Sequence, residues 1–113
     1  MGDAALVRSA TCGSKLAMRV VLDEAGLVSG IEQAVEACAF GQAAAALVAR
    51  HAFGRGTDEA KVALTGVQQW LEGKGGQPWP ELSLLDPARD RRGRHAAIML
   101  PFRALVMAIE AAR

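Results

Sequence analysis

Apolar Leu16, Met18, Val20 and Leu22 alternate with Lys15, Ala17, Arg19 and Val21, the period-two pattern of a strand buried on one face. Ahead of it, residues 5–9 have weaker strand character and run into Ala10-Thr11-Cys12-Gly13, where glycine permits a turn or bulge. Asp23-Glu24-Ala25-Gly26 reads as a four-residue turn with Gly26 supplying the positive φ, and residues 27–36 return as a second strand. Setting Leu22 opposite Leu27 places Val20 opposite Ser29, Met18 opposite Ile31 and Ser14 opposite Val35. Most of one face is then apolar, as a sheet covered on one side by helices requires.

The same counting places Cys12 opposite Ala37, and a one-residue bulge would place it opposite Cys38. Both sulfurs are therefore expected at the open end of the hairpin, on strands about 4.8 Å apart. From residue 40 to 51 the spacing turns helical, with Phe40, Ala43, Ala44, Leu47, Val48 and His51 on one face. Cys38 thus falls at a helix start, where free N–H groups and the helix dipole favour an anion such as a thiolate. Phe53-Gly54-Arg55-Gly56 stops this helix, and Thr57-Asp58-Glu59 starts another, with Thr57 as candidate N-cap and Ala60, Ala63, Leu64, Val67, Trp70 and Leu71 as its core face. After Gly73-Lys74-Gly75-Gly76, prolines 78, 80 and 87 predict a loop with one turn at residues 82–85. Arg89 to His95 reads as a basic connector. A last helix over residues 97–112 buries Ile98, Phe102, Leu105, Val106 and Ile109, with Pro101 expected in its first turn.

These elements fit a single α+β domain spanning residues 1–113: a small antiparallel sheet of two or three strands, centred on the hairpin and covered on one face by three helices. With 113 residues the chain can bury one core. A net charge of +1 gives no global field toward nucleic acid or membrane, and the absence of tyrosine argues against a base-stacking surface. No basic leader precedes an apolar run, and no segment approaches the ~20 apolar residues of a membrane span. A cytoplasmic protein is expected. In that reducing compartment Cys12 and Cys38, the only cysteines, are expected as free thiols, metal ligands or redox groups.

The ordered set Thr11-Cys12-Gly13, the hairpin Val20-Val21-Leu22-Asp23-Glu24-Ala25-Gly26-Leu27-Val28, then Ala37-Cys38-Ala39-Phe40-Gly41-Gln42-Ala43, resembles the scaffold proteins of iron–sulfur cluster assembly, the IscU, NifU N-terminal and SufU family. Gly54-Arg55-Gly56-Thr57-Asp58-Glu59-Ala60 is similar to the family's Gly-Lys-x-x-x-Glu-Ala turn, and the resemblance spans roughly residues 9 to 110. It implies a SufE/NifU-like fold and a non-enzymatic scaffold holding a transient [2Fe-2S] cluster or Zn²⁺. The implied partners are a cysteine desulfurase that delivers sulfur and acceptor apo-proteins that receive the product. The departures define a divergent branch. Ser14 stands where the family has an aspartate, the third cysteine falls near Ala97, the Leu-Pro-Pro-Val-Lys motif is absent, and the family's N-terminal helix is missing or truncated.

Thiolate and imidazole donors suit zinc and iron–sulfur clusters, so Cys12, Cys38 and His95 are the expected ligands, His95 replacing the lost thiol. A fourth ligand would be water, Ser14, a small thiol or a residue of a second copy. Arg91, Arg92 and Arg94 would attract an anionic persulfide or cluster. Other readings stay open: a SufE-like sulfur acceptor using Cys38, a degenerate paralogue without metal, and a reversible Cys12–Cys38 dithiol. His51 and Trp70 read as core residues, and Trp79 as loop packing or a partner anchor. Neither glycine-rich turn is a phosphate loop, and no serine has a paired histidine and acid.

Overall fold

The computed structural model describes residues 4–11 and 13–113. Strands β1 (Ala4–Thr11), β2 (Ser14–Leu22) and β3 (Val28–Glu36) form an antiparallel sheet in the order β1-β2-β3. The helices are α1 (Ala39–His51), α2 (Thr57–Leu71) and α3 (Arg92–Ala112), with a 3₁₀ helix at Leu82–Ala88. The α+β expectation holds, with three strands and an extra hairpin: β1 pairs along its whole length with β2, ending at Thr11 opposite Ser14, and Gly13 has a φ of 79°.

The β2–β3 register differs from the counted one by two residues. Leu16 lies opposite Val35, Met18 opposite Gln33 and Val20 opposite Ile31. Two local causes add up. The Asp23 carboxylate accepts the N–H groups of Ala25 and Leu27 at 2.9 and 3.0 Å, and the Asp23 N–H bonds to the Leu27 carbonyl at 2.8 Å. Leu27 is therefore drawn into the turn opposite Asp23, one residue later than expected. An irregularity between Val21 and Leu22 supplies the second residue, since Leu22 pairs with Val28 but Val21 with Gly30. A slip of two preserves the faces: Leu16, Met18, Val20 and Leu22 are all buried. The ladder stops at Lys15–Glu36, so strand pairing does not extend to Cys38.

One apolar core fills the space between the sheet and the helices. Helix α3 lies against β1 and β2, α1 against β3, and α2 packs on α3. On α1 the buried residues are Gly41, Ala44, Ala45, Leu47 and Val48, so Ala45 is inside and Ala43 outside, against expectation. The core face of α2 follows the sequence pattern, with Leu64 half-buried. Its N-cap is Gly56, whose N–H donates to Glu59 Oε1 at 3.1 Å; Thr57 instead accepts a hydrogen bond from Arg113 at 2.9 Å.

Helix α3 departs most from expectation. It begins at Arg92, five residues early, so part of the basic connector is its first turn and Pro101 sits in the helix interior. Proline there has no N–H for the carbonyl of Ala97 four residues back. With 21 residues α3 is, by length and composition, long and apolar enough to cross a membrane, which a helix starting at residue 97 would not have been. Within this fold 67% of the qualifying window is buried, as befits a central core helix.

Candidate functional site

Cys38 caps the N-terminus of α1, where β3 turns into the helix. Its backbone is extended, with φ −65° and ψ 172°, and its carbonyl accepts the first helical bond, from the Gln42 N–H at 2.9 Å. The Gln42 side chain folds back and donates to the Ala37 carbonyl at 3.0 Å, fixing the corner. The first turn contains no acidic residue, so no carboxylate competes for its N–H groups and positive dipole end. The thiol is free and half-buried.

Three small residues make this corner. A Cβ built on Gly41 would lie 2.7 Å from the Ala37 Cβ, 3.3 Å from the Ala97 Cβ and 3.4 Å from the Ala97 carbonyl oxygen. The residue one turn into α1 is therefore glycine because α3 and the strand–helix corner both crowd it. The carbonyl that Pro101 leaves without its helical donor faces this contact. Ala97 stands where the family resemblance implies a third cysteine, and it is buried against Gly41 beside the first turn that Cys38 caps. Ser14, where the resemblance implies an aspartate, is 8% exposed on the core face of β2.

His95 belongs elsewhere. Two residues on an α-helix are about 200° apart, so a helix that turns Ala97 toward α1 turns His95 away from it. The His95 Nε2 lies 2.9 Å from the Arg89 carbonyl and 3.2 Å from that of Ala88. Carbonyls only accept, so Nε2 carries the proton and ties the start of α3 to the end of the 3₁₀ helix. Together with Glu72, Lys74, Asp86, Asp90 and Arg92 it lines a polar cleft beside the end of α2. His95, expected to substitute for the missing thiol, has its Nε2 engaged by the carbonyls of Arg89 and Ala88, on the side of α3 away from Ala97. Arg92 lines this His95 cleft, and Arg89, expected as a connector, stacks over Trp70 at 4.6 Å and donates to the Trp70 carbonyl at 3.0 Å. Cys12 lies outside the described residues. Among the described residues no group of three or more His, Cys, Asp or Glu side chains is placed to hold a metal ion.

At its other end, α1 is held by a polar network that the sequence did not disclose. The Trp79 indole N–H donates to the Leu47 carbonyl at 2.9 Å, its ring meets Phe102 edge-on at 5.3 Å, and Arg55 covers it at 4.2 Å. Trp79 is loop packing, 1% exposed. Glu81, at the left-handed φ of 62°, accepts from Arg50 at 2.8 and 2.9 Å, and its Oε2 lies 2.6 Å from His51 Nε2. Hydrogen bonds from His51 first and then Arg50 hold the Glu81 carboxyl below the usual carboxylate range. The only local hint was the proline-rich loop itself; its partners are some thirty residues away in sequence.

A hairpin running into a helix capped by a half-buried cysteine, roofed by α3 through a contact of small residues, defines a small α+β protein with a thiol at a strand–helix junction. No family model matches the chain, and no curated protein matches its sequence. The likeness is to solved structures. A nitrogen-fixing NifU-like protein (N-terminal) from Brucella abortus matches with a TM-score of 0.83 at 26% identity, over 94% of this chain and 76% of that one. A protein of Fervidobacterium islandicum AW-1, described as an iron–sulfur cluster assembly scaffold for the SUF system (SufU), matches with a TM-score of 0.81 at 15% identity, over 92% of this chain and 79% of that one. A hypothetical protein matches with a TM-score of 0.82 at 21% identity, over 96% and 82%. By fold and by the order of its motifs the chain is IscU/NifU/SufU-like.

Proposed function

We propose that this protein is a scaffold-like member of the iron–sulfur assembly machinery, from a divergent branch in which Ser14 and Ala97 stand in place of the aspartate and third cysteine. The observation that carries the reading is Cys38 capping α1 in a fold shared with a NifU-like protein and a SUF scaffold. Its cargo is iron, a transient [2Fe-2S] cluster or Zn²⁺, held by the thiolates of Cys38 and Cys12. Sulfur ligands suit these metals in kind. In number they fall short of four, and a water, a small thiol or an acceptor apo-protein completes the set. Such a site releases its cargo readily, which suits transfer. The protein acts in the cytoplasm, without catalysis of its own.

Anaerobic reconstitution with iron and sulfide is expected to give visible absorption that is lost in Cys38→Ala and Cys12→Ala and retained in His95→Ala. A colourless protein with both thiols accessible to alkylation sinks the scaffold reading.

The Gly41–Ala97 contact favours a second reading, because an alanine fills the space of the third ligand. Here Cys38 accepts sulfur from a cysteine desulfurase. The Cys38 thiolate attacks the outer sulfur of the desulfurase persulfide, the S–S bond of that persulfide breaks, the desulfurase thiolate leaves, and Cys38 carries the persulfide with no net oxidation. Incubation with a desulfurase and cysteine should then add one sulfur to Cys38 by mass spectrometry; an unchanged mass removes this reading.

A further inference from the structure

The side of the sheet away from the helices is uncovered. Cross-strand rows on it follow from the register: Leu6, Arg19 and Glu32; Arg8, Ala17 and Ala34; Ala10, Lys15 and Glu36. Cations therefore stand on β1 and β2 and anions on β3. Lys15 bonds to Glu36 at 3.1 Å and Arg19 to Glu32 at 2.8 Å, whereas Arg8 has no acidic partner among the described residues. In the middle row only Ala17 and Ala34 are small, and around them the face is recessed between Arg8, Lys15 and Glu36. Leu6, at the rim, is 53% exposed.

We propose that this open face is the contact between two copies of the chain, packed face to face about a two-fold axis that runs along β2. That axis maps each row onto itself with its ends exchanged, so β1 of one copy faces β3 of the other. Arg8 then meets Ala34 of the second copy and lies between its Glu32 and Glu36, and the same contact is made in reverse. Ala17 meets Ala17 at the centre, where small side chains let the sheets approach. Lys15 and Arg19 lie near the axis, but their ion pairs tilt them toward their own β3, and the two-fold sends the tilts of the two copies to opposite sides. Strand identity decides the orientation: an axis across the strands would set β3 on β3 and oppose four carboxylates.

Three strands at about 4.8 Å spacing and eight residues at about 3.3 Å give a face on the order of 400 Å². Stable interfaces use about 800 Å² per partner. The dimer is accordingly weak, reversible and dependent on charge. This proposal stands apart from the role of Cys38.

Sedimentation equilibrium of the full chain tests it. A monomer–dimer equilibrium is expected at low salt, weakened several-fold at 0.5 M salt, where charge pairs are screened. Arg8→Glu alone and Glu32→Lys/Glu36→Lys alone should each weaken self-association about tenfold or more. Mixing those two variants should restore a dimer containing one of each, which also shows that both variants are folded. A chain that is monomeric at every concentration and salt, a dimer indifferent to both charge reversals, or a mixture that fails to pair overturns the proposal.

Discussion

The two ends of α1 are held in opposite ways. At its N-terminus, which Cys38 caps, Ala37, Gly41 and Ala97 meet through small side chains and backbone, with no side-chain cap and, among the described residues, no ion pair. At its C-terminus Trp79, Arg55, Arg50, His51 and Glu81 form an interlocked set of aromatic, cationic and carboxylate contacts. A reactive or metal-binding thiol needs an approachable corner with vacant hydrogen-bonding capacity, and the first end supplies it. The second end anchors the helix so that the first stays in place.

The largest effect should come from the anchored end. Trp79→Ala removes a fully buried indole, its hydrogen bond to Leu47 and its contact with Phe102. Loss of such a side chain costs about 3–5 kcal/mol, to be read by urea unfolding. A cost no greater than that of Gly41→Ala would break the contrast between the two ends.

Next comes the crowded end. Gly41→Ala forces a methyl to within 2.7 Å of the Ala37 Cβ, which has no flexibility to yield. Overpacking of this kind costs about 1–3 kcal/mol, against which alanine returns roughly 1 kcal/mol of helix propensity. The exposed neighbour is the control: Ala43→Leu should change stability by no more than about 0.5 kcal/mol. Equal effects at 41 and 43 would mean that neither Ala37 nor Ala97 of α3 presses on the Cys38 turn.

These two positions also show what sequence pattern can carry. The alternation in β2 exposed the buried face of the sheet, and that conclusion survived a register error because the Asp23 turn and the Val21/Leu22 irregularity shift the pairing by an even number. The placing of Cys38 at a helix start was legible from the change of period at residue 40. The onset of α3 was not, because the rule that keeps proline out of helix interiors pointed to residue 97. Tertiary packing overrides that rule here: Pro101 is buried in the centre of the core helix. The early onset also sets the phase that turns His95 away from Ala97. The Glu81 network was invisible because nothing near Glu81 in sequence announces partners thirty residues back.

A smaller, pH-dependent effect belongs to Glu81. Its carboxyl titrates below the ordinary 4.5 in the folded state, so its contribution to stability is present above that value and is lost as pH falls through the lowered one. Wild type should therefore exceed Glu81→Gln in melting temperature near neutrality, and the gap should close progressively below about pH 4.5. A gap that stays constant down to pH 3 would mean that the hydrogen bonds to Arg50 and His51 do not depend on the carboxylate.

The smallest effect on folding is expected at Cys38, the residue to which the proposed function assigns cargo or sulfur. Cys38 is half-buried, its side chain makes no hydrogen bond as a cap, and serine is an accepted N-cap. Cys38→Ser should therefore shift the unfolding free energy by less than about 1 kcal/mol, in either direction. It should nevertheless abolish metal-dependent absorption and any persulfide carried at this position. The free thiol gives a sharper discrimination. A corner open to solvent predicts that Cys38 is alkylated in the native state, at a rate independent of denaturant well below the unfolding transition. Labelling that instead follows global unfolding would mean that the turn is sealed by Ala97 and the strand–helix corner, and the contrast between a closed, anchored end and an open, reactive one would be lost.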